Sequence, residues 1–291
     1  MKPYLIVSHD YKRFSAGTRA LHLLCHHLNE SGCPAYVTSP VTHPDLNTPT
    51  ANQRMIGELC KSGIVVYPEV EEGNPLGARR VVRYILNIPG RIRGSGEFAP
   101  TELLFAYCGL LRRFVPSYDR ILCVPVVELD LFKPGASRLP RESSVYWVGK
   151  GSDTPRIPET EHMAEISFEW PETRRGLAYL FKSSEWFYSY ANYTALTIEA
   201  RLCGCPTVII PNGLFDREDF KMYPPGMTGL AWGTDPDELE WAARTVGRFP
   251  GAYQASVVDM FPQQLDQFVN ITQMHNWQGV WITQSYKQVC G

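Results

Sequence analysis

The stretch NYTALTIEARLCGCPTVIIP, residues 192–211, holds the pattern that decides the fold. Small polar residues at Asn192 to Thr194 lead into an apolar helical run, Gly204 stands where a helix is expected to end, and TVII predicts a buried strand. A helix that leads directly into a buried strand is half of a strand, helix, strand unit, from which parallel sheets are built. One acid, Glu199, lies inside this helix. The stretch therefore raises the question of what that carboxylate binds.

The same alternation of strand and helix patterns runs through the first half of the chain. At the N-terminus, YLIVS, SAGTRALHLLCHHLNESG and PAYVT predict a strand, a helix and a second strand. Further along, GIVVYPE, ELLFAYC and RILCVPV predict strands, and the segment after the first of them predicts a helix over Leu76 to Leu86. We therefore expect a parallel sheet with helices on its faces.

A break rich in proline, glycine and arginine, PGASRLPR at Pro134 to Arg141, is the expected linker. After it, SSVYWVG, AEISFEW, EWFYSY and PTVIIP predict strands and ETRRGLAYLFKSS predicts a helix. The sequence thus predicts an α/β fold of two Rossmann-like, doubly wound domains, residues 1–136 and 137–291, which face each other across a cleft. It leaves open whether the C-terminal helix packs back on the first domain. Ligands of such folds bind at the carboxyl ends of the strands.

The composition limits the classes of function. With 291 residues, 44% of them hydrophobic, and a formal net charge of -2, the chain can bury two cores and lacks the basic excess of a nucleic-acid binder. The apolar run at the N-terminus is too short for a secretory signal, and no run approaches the ~18 apolar residues of a membrane span. The 8 cysteines lack the paired spacing of a zinc site. We expect a cytoplasmic protein without a nucleic-acid partner or a metal ion.

Glu199 admits two interpretations. The helix N-terminus near Asn192 to Thr194 is expected above a strand end, where backbone N–H groups and the helix dipole favour a phosphate. A carboxylate about one turn further in can accept two hydrogen bonds from the vicinal diol of a ribose. Alternatively, Glu199 occupies a solvated position on a surface helix, as glutamate commonly does. The pattern alone leaves both interpretations open.

Three segments, which occur in the same order as in the family, resemble glycosyltransferases with the two-domain GT-B fold. TIEARLCGCPTVIIP at 197–211 resembles their LEAMACGxPVVAS segment, and CVPVVELDLFKPG at 123–135 resembles the xPNGVDxxxFxP segment before their interdomain linker. VYWVGKG at 145–151 resembles their xxVGRxxxxKG entry into the second domain. The first half is similar more loosely, through SAGTRALHLLCHHLNESGCPAYVT at 15–38.

The resemblance implies a function and a set of donor contacts. It implies transfer of a sugar from a nucleotide diphosphate sugar to a glycan or lipid-linked glycan, as in polysaccharide assembly, with the donor as co-substrate and no cofactor. Positive residues and a helix dipole would replace a metal ion. The residues that match the family's donor contacts are Gly17, Lys150, Asn192, Tyr193, Thr194 and Glu199.

Each of these residues has its own implied role. By the resemblance, Glu199 holds the donor ribose, and the loop of Asn192, Tyr193 and Thr194 meets the diphosphate and the sugar. Lys150 falls near the family's basic diphosphate contacts. Gly17 matches the flexible glycine loop after the first strand.

One residue departs from the family pattern. Ala191 stands eight positions before Glu199, where members with paired glutamates carry a carboxylate that contacts the sugar. Retention and inversion of the anomeric configuration therefore both stay open. Two other functions stay open as well: a noncatalytic subunit that binds a nucleotide sugar or glycan, and an enzyme similar to nucleotide-sugar epimerases.

Acidic and imidazole side chains follow two predicted strands. His9 and Asp10 come directly after the first strand, so we expect both at the cleft, and either could be the base of an inverting transfer. Asp10 could instead only accept hydrogen bonds from loop amides. Glu128 and Asp130 stand just before the linker, and we expect them to orient the hinge.

The segment GARRVVRYILNIPGRIRG is the strongest charge feature of the sequence. In the predicted helix, Arg79, Arg80 and Arg83 share one face, and Arg91 and Arg93 extend the positive charge. The segment could bind an acceptor phosphate at the inner face of an anionic membrane, as a peripheral contact, or it could bind a partner subunit. It could equally be the solvated face of a surface helix.

Overall fold

The computed structural model describes residues 1–135, 141–223 and 225–277, and these residues form two parallel five-stranded sheets. The first sheet has the strand order β2-β1-β3-β4-β5. Its strands are β1 (Tyr4–Ile6), β2 (Ala35–Val37), β3 (Ile64–Pro68), β4 (Val81–Ile85) and β5 (Leu103–Ala106). Helix α1 (Ala16–Glu30) joins β1 to β2, and α2 (Gln53–Ser62) joins β2 to β3. Every residue of β3 and β4 is buried, as expected for central strands covered on both faces.

The second sheet repeats this design with the strand order β10-β9-β8-β6-β7. Its strands are β6 (Ser143–Trp147), β7 (Ala164–Ile166), β8 (Ser184–Ser189), β9 (Thr207–Ile209) and β10 (Leu230–Trp232). The helices between them are α3 (Arg174–Ser183), α4 (Leu196–Leu202), α5 (Arg217–Met222) and, after β10, α6 (Pro236–Thr245). The predicted class, two doubly wound Rossmann-like units, is confirmed.

The C-terminal part of the chain crosses from the second sheet to the first. Helix α7 (Phe249–Tyr253) is followed by a short π-helical segment and by α8 (Phe261–Met274). In α8, the Phe268 ring meets the Phe105 ring edge-on at 4.8 Å, and the Thr272 hydroxyl lies 2.7 Å from the Tyr4 hydroxyl. Helix α8 is therefore part of the core of the first sheet. The predicted boundary at 136/137 lies outside the described residues, and so do residues 278–284 of the C-terminal stretch predicted to be helical, QQLDQFVNITQMHNWQGVWITQ at 263–284.

The helix predicted over Leu76 to Leu86 is wrong, because this segment contains β4. Arg83 lies inside that strand and is fully buried; its Nε and Nη2 bond the two carboxylate oxygens of Glu102 at 2.8 and 3.1 Å. The arginine spacing resembles a helical face, but pairing with β3 and β5 on both sides makes the segment a strand. The segment RILCVPV forms only an isolated bridge, from Ile121 to Ala106, instead of the predicted strand.

The other arginines of the basic segment make different contacts and do not form one face. Arg80 Nη1 donates to backbone carbonyls at the end of α2, and Arg91 Nη2 donates to the Lys150 carbonyl at 3.0 Å. Arg93 Nη2 lies 3.4 Å from Glu71 Oε1. Within the part of the chain that the structure describes, no helix has both the length and the apolar character that a membrane crossing requires. The peripheral membrane contact stays a prediction.

Candidate functional site

A cavity lies between the carboxyl ends of the two sheets. From the first sheet it is lined by the loop after β4, and from the second by the loops after β6, β8 and β9. Its lining residues are Asn87, Ile88, Arg91, Lys150, Ala191, Asn192, Tyr193, Asn212, Leu214 and Phe215. This is the crevice in which ligands of open α/β sheets bind. We call it the interdomain cleft.

The interdomain cleft is nearly closed in this conformation. Its volume is about 10 Å³, about the space of one water molecule. Pockets that hold small-molecule ligands measure roughly 300 to 1,000 Å³. Besides the contact from Arg91 to Lys150, Arg113 Nη2 donates to the Leu214 carbonyl at 3.2 Å across the cleft. A ligand as large as a nucleotide therefore enters only if the domains move apart.

Asn192 places an unpaired acceptor in the wall of the interdomain cleft. Asn192 is only 2% exposed, and its Nδ2 donates to the Ile210 carbonyl at 2.8 Å. Within the described part of the chain, Oδ1 has no hydrogen-bond partner. The loop is held in place by Asn212, whose Nδ2 donates to the Tyr190 carbonyl at 3.0 Å. Buried acceptors without a partner are rare in native proteins. Asn192 Oδ1 is therefore suited to accept a hydrogen bond from a ligand.

The two residues after Asn192 face other neighbours. The Tyr193 hydroxyl lies 3.5 Å from Cys108 Sγ, on the first domain, and burial raises the pKa of Tyr193 well above its ordinary value. Thr194 Oγ1 accepts a weak hydrogen bond of 3.4 Å from the Leu196 N–H. The N-cap position of α4 is Ala195, so the polar residues Asn192 to Thr194 lie just before the cap position instead of at it.

Lys150 lies on the 3₁₀ turn that follows β6 and is exposed at the edge of the interdomain cleft. The surrounding protein desolvates its ammonium group and lowers its pKa, while the negative charge of Glu69 opposes that shift and the positive charge of Arg91 adds to it. Gly151 ends the turn, and a Cβ at this position would overlap the Tyr190 carbonyl. The glycine thus brings the turn against the loop of Asn192.

Glu69 is a residue of this region that the sequence did not single out. It follows β3 directly, is 3% exposed, and accepts a hydrogen bond from the Leu86 N–H at 2.9 Å through Oε2. Burial raises its pKa, and hydrogen bonds from backbone N–H groups act in the opposite direction. It shapes the loop after β4 that lines the interdomain cleft. The available signal was an acid at the end of the strand pattern GIVVYPE.

His9 and Asp10 do not line the interdomain cleft. They lie in a separate depression of about 330 Å³, lined by Ser8, His9, Asp10, Lys12, Thr38, Ser39 and Pro40 at the ends of β1 and β2. Asp10 Oδ1 accepts a hydrogen bond of 2.9 Å from Ser39 Oγ, and His9 Nε2 lies 3.7 Å from Glu71 Oε1. Because β3 separates β1 from β4, this depression is roughly 10 Å from the cleft wall.

Gly17 is part of α1 instead of the loop before it. Ser15 caps the helix through a hydrogen bond from the Thr18 N–H to its Oγ, so Gly17 falls in the first turn. A Cβ on Gly17 would meet only Leu86 Cδ1, at 3.8 Å. The position is thus not a flexible glycine loop, although it does lie beside the loop after β4.

Glu199 is fully buried at the junction of the two domains, so the interpretation as a solvated surface position is wrong. Arg174 holds its carboxylate in a bidentate pair, Nη1 to Oε2 at 2.9 Å and Nη2 to Oε1 at 2.6 Å. Arg19 of α1 adds a bond from Nη2 to Oε1 at 3.2 Å. The assignment of the ribose to Glu199 stays a prediction.

Glu128 extends this group of charges across the junction. It accepts a hydrogen bond from Arg13 Nη2 at 3.1 Å and one from Arg174 Nε at 3.4 Å. Burial alone would raise the pKa of Glu128, but the two arginines outweigh it and lower the pKa. We refer to Arg13, Arg19, Glu128, Arg174 and Glu199 as the junction cluster. Glu128 thus contacts arginines of both domains.

Among the residues that the structure describes, no group of three or more His, Cys, Asp or Glu side chains is arranged to hold a metal ion. The seven described cysteines are buried free thiols. Metal independence stays a prediction.

The fold matches solved structures at low sequence identity. A glycosyltransferase from Rickettsia africae ESF-5 matches with a TM-score of 0.50 at 11% identity, over 94% of this chain and 98% of that chain. The glycosyltransferase VinC in complex with DTDP matches with a TM-score of 0.44 at 12% identity, over 91% of this chain and 100% of its own. A protein described as a UDP-N-acetylglucosamine 2-epimerase from Listeria monocytogenes matches with a TM-score of 0.40 at 9% identity, over 92% and 90%.

The match to the Rickettsia structure shows the fold alone. The chain shares its two-domain architecture with the Rickettsia glycosyltransferase, so the predicted resemblance is confirmed at the level of the fold. No protein-family model and no curated protein matches the chain.

Proposed function

We propose that this chain is a glycosyltransferase that binds a nucleotide diphosphate sugar in the interdomain cleft. The observation that carries the proposal is the meeting of three groups there: the unpaired Asn192 Oδ1, the Lys150 ammonium and the Arg91 guanidinium. An acceptor oxygen beside two positive charges suits a sugar hydroxyl next to a diphosphate. The glycosyltransferase-like fold supports the same proposal.

The two cations suggest how the leaving diphosphate is stabilised. Lys150 and Arg91 come from opposite domains, so both can face a ligand between them. Fixed positive charges in a site of low dielectric stabilise a developing anion without reorganisation. Because desolvation already lowers the pKa of Lys150, a bound anion would raise it again and gain affinity in return. We therefore propose a transfer that needs no metal ion, with activity unchanged by EDTA.

Glu199 would bind the donor ribose only in a state in which the domains have moved apart. A carboxylate offers about four acceptor sites, and in the closed state Arg174 uses two of them and Arg19 a third. If Arg19 leaves with the first domain, each oxygen keeps one free site. Two free sites match the two hydroxyls of a ribose.

The acceptor side of the proposal rests on the depression beside β1. Its lining of hydroxyl, imidazole, carboxylate and ammonium groups suits a glycan or lipid-linked glycan. His9 and Asp10 are the proposed base candidates. Since a base must lie within hydrogen-bond reach of the reacting hydroxyl, this role requires that the donor sugar extend from the interdomain cleft to the depression once the domains open. The internal contacts of Arg80, Arg83, Arg91 and Arg93 give no support to membrane contact, so it is not part of the proposal.

Nucleotide titrations test the donor site. UDP, GDP, dTDP and CMP are each titrated while thermal unfolding is followed, and nucleotide release from the matching sugar donor is then measured with and without a glycan. One diphosphate is expected to raise the melting temperature. Lys150→Met is expected to weaken its binding about tenfold, a loss of ~1.4 kcal/mol. Lys133→Met is the matched control, since Lys133 is 61% exposed and forms an ion pair with Asp130.

The outcomes separate the three functions. Donor binding without sugar transfer would favour the noncatalytic subunit. Ala191 and the nearly closed cleft are the observations that support this alternative. Conversion of the bound sugar to its epimer would indicate the epimerase-like enzyme. If none of the four nucleotides changes the melting temperature, the donor site is excluded.

A further inference from the structure

Arg19 carries hydrogen-bond donors that the closed structure leaves unused. Its side chain is only 3% exposed, yet Nε and Nη1 have no hydrogen-bond partner among the residues that the structure describes. These two atoms carry three of the five N–H donors of a guanidinium group. The nearest further carboxylate oxygen, Glu128 Oε1, lies 4.0 Å from Nη1, beyond hydrogen-bonding distance. A buried charged donor without an acceptor is costly, so the closed state does not satisfy Arg19.

Glu199 does not need Arg19 as a partner. The Arg174 fork already reaches both oxygens of Glu199, and the Arg174 guanidinium also stacks on the Phe132 ring at 4.4 Å. Burial alone would lower the pKa of Arg174, but the hydrogen bonds and charge of Glu199 outweigh it and raise the pKa. Arg19 contributes only the single, longer bond. Its departure would leave Glu199 and Arg174 as a balanced pair.

The junction cluster contains one positive charge more than its carboxylates neutralise. Three guanidinium groups face two carboxylates, Glu128 and Glu199. Tyr11 borders the cluster, and burial raises its pKa despite the opposing charge of Arg19, so its hydroxyl stays neutral and supplies no negative charge. The surplus positive charge and the three unused N–H donors both lie in the junction cluster. A positive charge with free donors is suited to bind an anion.

Arg19 is also positioned to separate from its present partner. It belongs to α1 of the first domain, whereas Glu199 and Arg174 belong to α4 and α3 of the second. The first turn of α1 lies against Leu86, and the next residues along the chain line the interdomain cleft. If the domains move apart and the cleft opens, the Arg19 guanidinium therefore separates from Glu199. It then faces the side from which a ligand enters.

We propose that Arg19 binds a phosphate-type oxyanion, which replaces Glu199 as its partner when the domains open. Such an anion supplies several acceptor oxygens to the unused N–H donors and neutralises the surplus charge. The proposal goes beyond the donor site and does not require sugar transfer. The anion could be free phosphate or the phosphate groups of a nucleotide, and the experiment distinguishes them.

Inorganic pyrophosphate and inorganic phosphate are the probes, titrated into the full chain by calorimetry at constant ionic strength. Pyrophosphate is expected to bind the native chain. Arg19→Met is expected to weaken that binding about tenfold or more, and Arg19→Lys, which keeps the charge but not the fork, to have an intermediate effect. Arg54→Gln is the matched control, because Arg54 lies on α2, outside the junction cluster, and its side chain is 88% exposed; its affinity is expected within about twofold of native.

A second titration identifies the source of the anion. Pyrophosphate binding that UDP, GDP or dTDP blocks assigns the oxyanion to the nucleotide, whereas unaffected binding assigns it to free phosphate. Binding of pyrophosphate with no effect of any nucleotide would leave the anion site standing and remove the donor proposal. No binding to the native chain, equal binding to the Arg19 variants, or an equal loss in Arg54→Gln would each overturn the inference. Circular dichroism checks that each variant is folded. If Arg19→Met does not fold, the affinity of Arg19→Lys for pyrophosphate is the measurement that tests the inference.

Discussion

Glu199 brings a negative charge to the junction of the two domains, where no water solvates it. Burial of a carboxylate is tolerated only with partners, and here Arg174 and Arg19 supply them. Its place on a helix that leads into a buried strand is visible in the sequence. Its partners are not, because Arg19 lies 180 positions away and only the packing of α1 against α4 joins the two.

Replacement of Glu199 by glutamine tests how much this site contributes to folding. Glu199→Gln leaves the buried guanidinium groups of Arg19 and Arg174 with only the partly exposed Glu128 as a counter-charge, and we expect the free energy of unfolding to fall by about 3–5 kcal/mol. Urea denaturation at pH 7 measures the change. Glu128→Gln is the control: Glu128 is 36% exposed, so we expect a loss below about 1 kcal/mol. Equal effects of the two substitutions would show that Glu199 is not a buried, paired charge.

At the scale of the element, β4 shows how a charge pattern can mislead. Arginines at positions 79, 80 and 83 match a helical spacing. The segment nevertheless forms a strand, because its backbone pairs with β3 on one side and β5 on the other, and this pairing does not depend on the charges of its side chains. Arg83 is accommodated because Glu102 and the carbonyls of Glu71 and Gly73 take up its N–H groups. Helix α4 and the strand β9 after it followed their local patterns, since the positive φ of Gly204 ends the helix where expected.

Two glycines in regular positions are expected to respond oppositely to alanine. Gly151→Ala places a methyl group against the Tyr190 carbonyl, and we expect a loss of about 1–3 kcal/mol from the strain. Gly57→Ala, in the exposed middle of α2 with no atom within 4 Å of the new Cβ, is the control and should gain about 0.5–1 kcal/mol. Urea denaturation of both variants gives the two values. A gain in Gly151→Ala would refute the close approach of the turn to Tyr190.

At the scale of the whole molecule, α8 ties the end of the described chain to its beginning. Gln273 Oε1 accepts a hydrogen bond from the Lys2 N–H at 2.8 Å, and Phe268 fills the core beneath Phe105. The chain thus crosses the junction twice, once after β5 and once through α7 and α8. One buried hydrophobic cluster contains strand residues of both sheets, among them Ile85 and Phe187. Opening between the sheets must therefore bend the chain at these two crossings and separate part of this shared cluster.

The docking of α8 is expected to weaken in acid. His27 of α1 packs edge-on against Phe261 of α8, with 4.7 Å between ring centres. Burial lowers the pKa of His27 from 6.5 to about 4; the charge of His26 lowers it further and Glu30 opposes the shift. The folded chain therefore binds this proton less readily than the unfolded chain. Its contribution is complete above about pH 6.5 and is lost as the pH falls from about 6.5 toward 4.

Urea midpoints measured between pH 7.5 and 4.5 check this expectation. The native chain should lose stability on acidification, and His27→Gln should show a shallower loss because it cannot take up the proton. His162→Gln, at an exposed position, is expected to follow the native curve. A His27→Gln curve parallel to the native one would assign the acid sensitivity to other groups.

The sequence by itself determined the alternation of strands and helices, the two α/β halves and the cleft between them. These features depend on local periodicity and on glycine and proline positions, which act within a few residues. It also indicated the loop of Asn192 and the turn of Lys150, because residues that end neighbouring strands share one edge of a sheet.

Only the tertiary structure decided that Glu199 is paired with arginines, that His9 and Asp10 lie in a depression of their own, that Arg83 is inside a sheet, and that α8 belongs to the first core. Each of these depends on which residues meet after the chain has folded. Burial and ion pairing are set by neighbours far away in the sequence, and no local pattern contains them.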